Sequence, residues 1–465
     1  MAKLSEKIGY GFGDMSSSMF WKIFSYYLPI FYADVFGLSL GATGMLMLVT
    51  RVWDTVSDPM MGAVADRTQT RWGKYRPYLL WVSAPFAIAG CLLFTTPSLG
   101  ESGKLLWAYA TYILMMTVYT GINVPYGSML GVMTDDSEEK TVFSSYRMFC
   151  AYAGSFIALG CWEPLVKLLS GSGPDSLTNT QEGWQHAMFV IAAVCFLMFI
   201  LCFLMTREHI KPSSPASLMS DLGDLLKNKP WWLLTAAALC TNLFNTLRGS
   251  TAAFYFKYLI GEQASIDLGL TSFLFFAGVF LSIGEVCNMI GVACAVPFSN
   301  LMGGKKPAFI ASSIALILLS VAFFYLPTHS NAGYIWILLL QILTSFFTGV
   351  VSPLVWSMYA DVADYSQALN GTSSTGLIFS SGSMAQKFGG AIAGSSVMWI
   401  LAAFGLVSNA AEQSQSAILG MKLSMSYFPA AVAALMLLIL LFYPLNKAKM
   451  KEIDEKLRLT RIIEK

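Results

Sequence analysis

The sequence predicts an all-α integral membrane protein of twelve transmembrane helices in two six-helix halves, with both termini in the cytoplasm. Three observations lead there. Hydrophobic residues make up 55% of the 465 and charged residues only 12%, about half the roughly 25% that a soluble domain carries. The apolar residues fall into long runs, most of them matching the roughly 20 residues a helix needs to cross a bilayer. Lysine and arginine are concentrated in alternate gaps between those runs, the pattern that fixes orientation.

Taken in order, the candidate spans are 13–36, 41–65, 77–97, 105–134, 143–167, 184–206, 230–259, 267–298, 307–327, 332–362, 372–405 and 420–445. The longest need tilt, or ends that project from the bilayer. The widest internal polar gap, REHIKPSSPASLMSDLGDLLKNKP, has prolines set among serines and a basic end, and reads as a linker with a short amphipathic helix. It divides the chain into a first half (1–206), a linker (207–229), a second half (230–445) and a basic tail (446–465). With the N-terminus inside, one side holds Lys3, Lys7, Arg67, Arg71, Lys74, Arg76, Lys140, the linker, Lys305, Lys306 and the tail. The other holds little beyond Lys104, Lys167 and Lys257. The halves echo each other: GAVADRTQTRWGKYRP follows the second span and AVPFSNLMGGKKP the eighth, each a basic loop whose proline opens the next helix. Such a repeat is the signature of the major facilitator architecture, with a central site between the halves.

Several functions are excluded. A net charge of +2 gives no footprint for nucleic acid. The eight cysteines form no CxxC pair and the three histidines are scattered, so neither a metal site nor a cofactor is expected. No HExxH or GxSxG is present, which argues against an intramembrane enzyme. The polar start MAKLSEKIGYGFGD shows no cleavable signal.

What remains to be explained is charge inside the spans. RVWDTVSDP places Arg51, Asp54 and Asp58 on one face of the second span, where each charge costs roughly 2.5–3.5 kcal/mol even on insertion scales. One arginine against two carboxylates leaves about one negative charge, which suits a proton or a bound cation; Ser57 adds a hydroxyl, and Pro59 removes a backbone donor. Thr120 and Asn123, three apart in the fourth span, either complete an oxygen shell or hydrogen-bond a neighbouring helix. Arg147 opens the fifth span and either binds a ligand or locks a gate. Lys387 lies well inside the eleventh and needs an acidic partner or a hydroxyl-rich or anionic ligand. Lys22 and Arg248 either bind substrate or serve equally well as a structural pairing or a gate. Tyr26, Tyr126 and Trp356 sit where a cavity could be lined, their rings matching the CH faces of sugars. At the span ends, Asp66 and Arg67, with Arg71, Lys74 and Arg76, either latch the halves or fix topology, and Asp361 with Asp364 read as gating acids opposite basic loop residues.

These residues carry a resemblance. RVWDTVSDPMMGAVADRTQTRWGKYRP, with YGFGD, FYADVFGLS, NVPYGSM, SSYRMF and ADVADY, resembles the glycoside–pentoside–hexuronide:cation symporters over residues 10 to about 390. The resemblance implies cation-coupled sugar uptake into the cell across its membrane by a functional monomer. It assigns Asp54 and Asp58 to the cation, Na⁺ or H⁺, with Ser57 and Thr120 beside them. It places Arg51, Arg147 and Lys387 around the cavity, with Lys387 facing the carboxylates. The galactoside-holding acid on the first helix of the family's best-known member is Ser18 here, and its fourth-helix aspartate is Asn123, so α-galactosides are disfavoured. Lys22, Arg147, Arg248 and Lys387 together suggest a hexuronide by charge. The alternative cargo on the same fold is a lysolipid.

Overall fold

A computed structural model describes residues 3–134, 137–171, 181–209, 227–261, 264–267, 269, 271–370 and 375–463. The expected linker falls largely on 210–226 and so lies outside the described residues. The chain is helical almost throughout: α1 (Leu4–Ile30), α2 (Leu40–Arg67), α3 (Arg76–Trp81), α4 (Ser83–Leu93), α5 (Glu101–Met133), α6 (Ser137–Leu169) and α7 (Gln181–Met205) come first. Then follow α8 (Lys229–Tyr255), α9 (Ala277–Leu301), α10 (Lys305–Phe324), α11 (Asn331–Asn370), α12 (Thr375–Ala403), α13 (Gln415–Met425), α14 (Tyr427–Leu441) and α15 (Lys447–Ile463).

Local chemistry explains most boundaries. The helix α1 widens into a π-helical turn, Phe31–Phe36, closed by Gly37 at φ 84°, a left-handed conformation that glycine adopts without penalty. The Ser39 hydroxyl then caps α2 by accepting from the Ala42 amide at 3.2 Å. The third expected span is two pieces meeting at Val82, and the last breaks at Ser426. A second π-helical turn, Phe256–Ile260, ends α8. The eighth span starts later than expected. Two short strands, β1 (Ser265–Asp267) and β2 (Ser272–Leu274), pair antiparallel and set Ile266 opposite Phe273. The apolar run DLGLTSFLFF hides a strand pair because periodicity cannot separate a short apolar strand from the start of a buried helix.

Among the described residues, seven helices are long and apolar enough to cross a membrane: Glu101–Met133, Val142–Leu169, Gln181–Met205, Ala277–Leu301, Lys305–Phe324, Asn331–Leu369 and Gln415–Leu441. The helices α1, α2, α8 and α12 have the length, at 27, 28, 27 and 29 residues, but carry more polar groups. Large apolar side chains such as Ile88, Leu106, Leu197 and Leu204 stand exposed on the helix surfaces, as lipid-facing positions require.

The chain clusters into two compact units. The first comprises Met1–Ser213, Gly249–Glu285 and Gly394–Leu419. Its core has α1 packed on α6 and α7, and α2 on α5, around the rings of Phe31, Phe94, Trp162 and Trp184. The second comprises Ser214–Arg248, Val286–Ala393 and Gly420–Lys465. There α10 packs on α11 and α14 around Leu234, Phe309, Leu316, Val351 and Val355.

Candidate cation and substrate site

Spacings of three and four residues turn Asp54, Ser57 and Asp58 towards α5, where Thr120 meets them. The Thr120 hydroxyl lies 2.9 Å from Asp58 Oδ1 and 3.2 Å from Asp54 Oδ1, so both carboxylates are within reach of its single proton. The Ser57 hydroxyl is 3.1 Å from Thr120 Oγ1 and 3.0 Å from the Asp54 carbonyl oxygen. Asp54 is fully buried and Asp58 half-buried. Two carboxylates and two hydroxyls therefore converge at one point of the α2–α5 contact, an all-oxygen set of the kind hard cations prefer.

Arg51 lies one turn before Asp54. Its guanidinium carbon is 4.3 Å from the Trp21 ring centre and 5.1 Å from that of Phe24, so its charge is held partly by aromatic faces. Nε and Nη1 are buried without a hydrogen-bond partner among the described residues. With Arg51 counted, the group carries one more negative than positive charge. Asn123, the fifth residue of the expected cation set, donates its amide back to the Tyr119 carbonyl at 3.1 Å.

Two further charges flagged in the first unit, Arg147 and Lys22, are paired. Arg147 Nε donates to Asp14 Oδ2 at 2.9 Å, and its guanidinium lies 5.3 Å from the Tyr126 ring centre. Lys22 Nζ donates to Glu285 Oε1 at 2.5 Å and to the Tyr26 hydroxyl at 3.4 Å. Tyr126 is buried; its ring stacks on Tyr10, and its hydroxyl donates to the Tyr10 carbonyl at 2.6 Å. Gly13 lies against that ring, where a Cβ would collide with it. Ser18 is half-buried on α1. In the second unit, Arg248 donates to Gln341 Oε1 and to the Met425 carbonyl, both at 3.0 Å. Trp356 is half-buried beside Tyr359, and Lys387 is half-buried on α12.

Against known proteins, residues 9–447 match the family described as MFS/sugar transport protein. The chain belongs to this family. YagG of Escherichia coli (strain K12), which carries the provisional name glycoside/cation symporter, is 35% identical over 98% of this chain and 95% of its own. The isoprimeverose transporter of Lactiplantibacillus pentosus is 30% identical over 97% and 91%. Among solved structures, tetrameric PepTSo2 superposes with a TM-score of 0.68 at 10% identity, covering 97% of this chain and 99% of that one, a likeness of fold alone. Within the MFS/sugar transport family these relatives place the chain among the glycoside–pentoside–hexuronide:cation symporters, as its motifs suggest. It is a multi-pass membrane transporter and not an enzyme.

The expected latch residues of this family member divide. Asp361 accepts from Lys305 Nζ at 2.6 Å, so the basic loop GGKKP does meet the acidic end of α11. Asp364 is half-buried on the same helix, and Arg67 ends α2 exposed. The Asp66 side chain lies outside the described residues. Three anchors escaped the sequence reading. Glu285 is the partner of Lys22. Glu208 gathers the amides of Lys74, Tyr75 and Arg76 at 2.8, 2.7 and 2.7 Å. Asp34, at the end of α1, accepts from Lys257 Nζ at 2.5 Å and the Tyr258 hydroxyl at 2.7 Å, while its carbonyl accepts from Asn409 Nδ2. Asn409 adopts φ 59°, which asparagine tolerates better than most residues. Glu285 alone had a readable signal: a lone acid in the apolar run FLSIGEVCNMIG raises the same cost argument as Asp54.

Proposed function

We propose that the protein is a cation-coupled symporter of a sugar or glycoside working by alternating access, with Asp54, Asp58, Ser57 and Thr120 holding one monovalent cation. The observation that carries this reading is the Thr120 hydroxyl within 3.2 Å of both carboxylates. A proton would need one carboxylate and no converging hydroxyls, so Na⁺ is the ion this oxygen set fits better. Binding it cancels the excess negative charge of the Arg51–Asp54–Asp58 group. Cation and sugar then raise each other's affinity, as any two coupled sites must.

The same reading takes α1, α2, α3 with α4, α8 and α12 as spans beside the seven apolar ones, which makes twelve, in the halves 1–206 and 230–445. Both termini are cytoplasmic and the functional unit is a monomer. The Asp34–Lys257–Tyr258–Asn409 cluster then lies at the extracellular end of the first unit and serves as the latch that holds that end shut. Names of relatives supply the cargo class: one is named for glycoside/cation symport and another for isoprimeverose.

The test is uptake by purified protein in proteoliposomes, with glycosides and pentosides offered under an inward Na⁺ gradient, a pH gradient or neither. Accumulation driven by Na⁺ is the expected result. Accumulation driven by pH alone would replace the ion, and a protein that moves lysophospholipid but no sugar would overturn the cargo.

A further inference from the structure

The charges flagged in the sequence suggest an acidic cargo, because Lys22, Arg147 and Arg248 look like cations awaiting an anion. The structure changes that account. Arg147 is held by Asp14, and Arg248 by a glutamine oxygen and a backbone carbonyl. Lys22 is held by a glutamate that lies 263 residues away in sequence.

The Lys22–Glu285 pair has an unusual build. The Glu285 side chain is only 5% exposed, whereas that of Lys22 is 23% exposed. A lysine midway along a spanning helix is not exposed to lipid without large cost, so the open side of the pair faces a polar, water-filled space. Glu285 Oε1 takes the ammonium; Oε2 is sealed from solvent and accepts no hydrogen bond from any described residue. The ammonium has three N–H bonds. One goes to Glu285 and one to the Tyr26 hydroxyl, whose ring fits because Gly249 opposite it has no Cβ. The third has no acceptor among the described residues, on a side chain that is 23% exposed. The wall thus offers a sugar one strong donor while its net charge is zero.

We propose that Glu285 is a specificity-determining residue: by neutralising Lys22 it makes the transporter select neutral glycosides over acidic ones. This rests on the sugar-symport reading above. A neutral hydroxyl accepts the third N–H bond and leaves the pair intact. A uronide carboxylate meets the same ammonium with Glu285 already bound to it, and two carboxylates then compete for one cation, the like-charge juxtaposition by which binding sites reject wrong partners. Tyr26 serves as a positioning residue: its hydroxyl accepts from the Lys22 ammonium and its ring centre lies 5.2 Å from it.

The probes are methyl β-D-glucoside and methyl β-D-glucuronide, which differ only at the carboxylate, each competing against a labelled neutral glycoside transported by the full-length protein in proteoliposomes. Wild type is expected to bind the glucoside at least tenfold more tightly. Glu285→Gln removes the competing charge and leaves the ammonium, so it should shift the ratio towards the glucuronide by roughly tenfold or more. Lys22→Met should weaken the glucoside and disfavour the glucuronide further, which keeps the proposal testable if Glu285→Gln does not fold. Lys22→Arg should restore the wild-type order. A wild type that prefers the glucuronide would overturn the proposal, as would a monodisperse Glu285→Gln protein with an unchanged ratio. If no glycoside binds at all, the symport reading itself fails; binding with an unshifted ratio removes only the role of Glu285.

Discussion

Thr120→Val tests the cation site with the least disturbance, because valine keeps the shape and deletes only the hydroxyl. That hydroxyl is within 2.9 Å of Asp58 Oδ1, 3.2 Å of Asp54 Oδ1 and 3.1 Å of Ser57 Oγ. It is therefore the one group that touches every other member of the oxygen cluster. Hydrogen bonds to charged groups contribute about 1.5–3 kcal/mol, and each 1.4 kcal/mol is about a factor of ten in affinity. The variant should raise the Na⁺ concentration for half-maximal uptake roughly tenfold to a hundredfold, with the maximal rate recovered at saturating Na⁺. Thr120→Ser, which keeps the oxygen, should stay within about threefold of wild type, the spread expected for a retained contact. Ser128→Ala is the control, since that exposed hydroxyl donates to the Val124 carbonyl of its own helix and, among the described residues, touches no member of the oxygen cluster. The assay is Na⁺-dependent uptake of labelled glycoside in proteoliposomes. A Thr120→Val protein with wild-type Na⁺ dependence would refute the reasoning, as would one that shifts no more than Ser128→Ala.

Two further expectations follow from contacts within the first unit. Asp34→Asn weakens the charge-assisted bonds from Lys257 and Tyr258 and should loosen the proposed extracellular latch by about 2–3 kcal/mol. The readout is faster labelling of an introduced Ala253→Cys by a membrane-impermeant maleimide, with unchanged labelling counting against the latch. Glu208→Ala removes an acceptor that gathers three backbone amides ahead of α3. It should destabilise the detergent-purified protein by about 2–4 kcal/mol, read as a lowered unfolding temperature, with the Na⁺ dependence of binding retained.

How far the sequence reaches differs between the elements and the site. Seven spans among the described residues were legible because they rest on length and apolar composition, which the bilayer imposes segment by segment. The carboxylates were legible too, since three charges on one helix face are expensive enough to demand a reason. Pairings were not. Nothing local to Lys22 points to Glu285, and nothing near Arg248 points to Gln341 or the Met425 carbonyl, because partners on other helices are chosen by packing rather than spacing. That is why counting unmatched cations suggested an acidic cargo. The residues 265–274 failed for a different reason: an apolar strand pair and the first turns of a helix share a composition. Asn123 shows the limit of spacing arguments. It lies three residues from Thr120, yet its amide nitrogen bonds its own helix at the Tyr119 carbonyl.

Symport requires that the α2 carboxylates couple cation to cargo. Asp54→Asn and Asp58→Asn each cancel the excess negative charge permanently, so neither needs a cation to reach the neutral state. The decisive measurement is accumulation of glycoside against its gradient, alongside Na⁺ stimulation of binding, for each variant reconstituted at the wild-type protein level. Loss of both accumulation and Na⁺ stimulation in each variant, with folded protein recovered, is the predicted result. Wild-type accumulation by the two variants would contradict it.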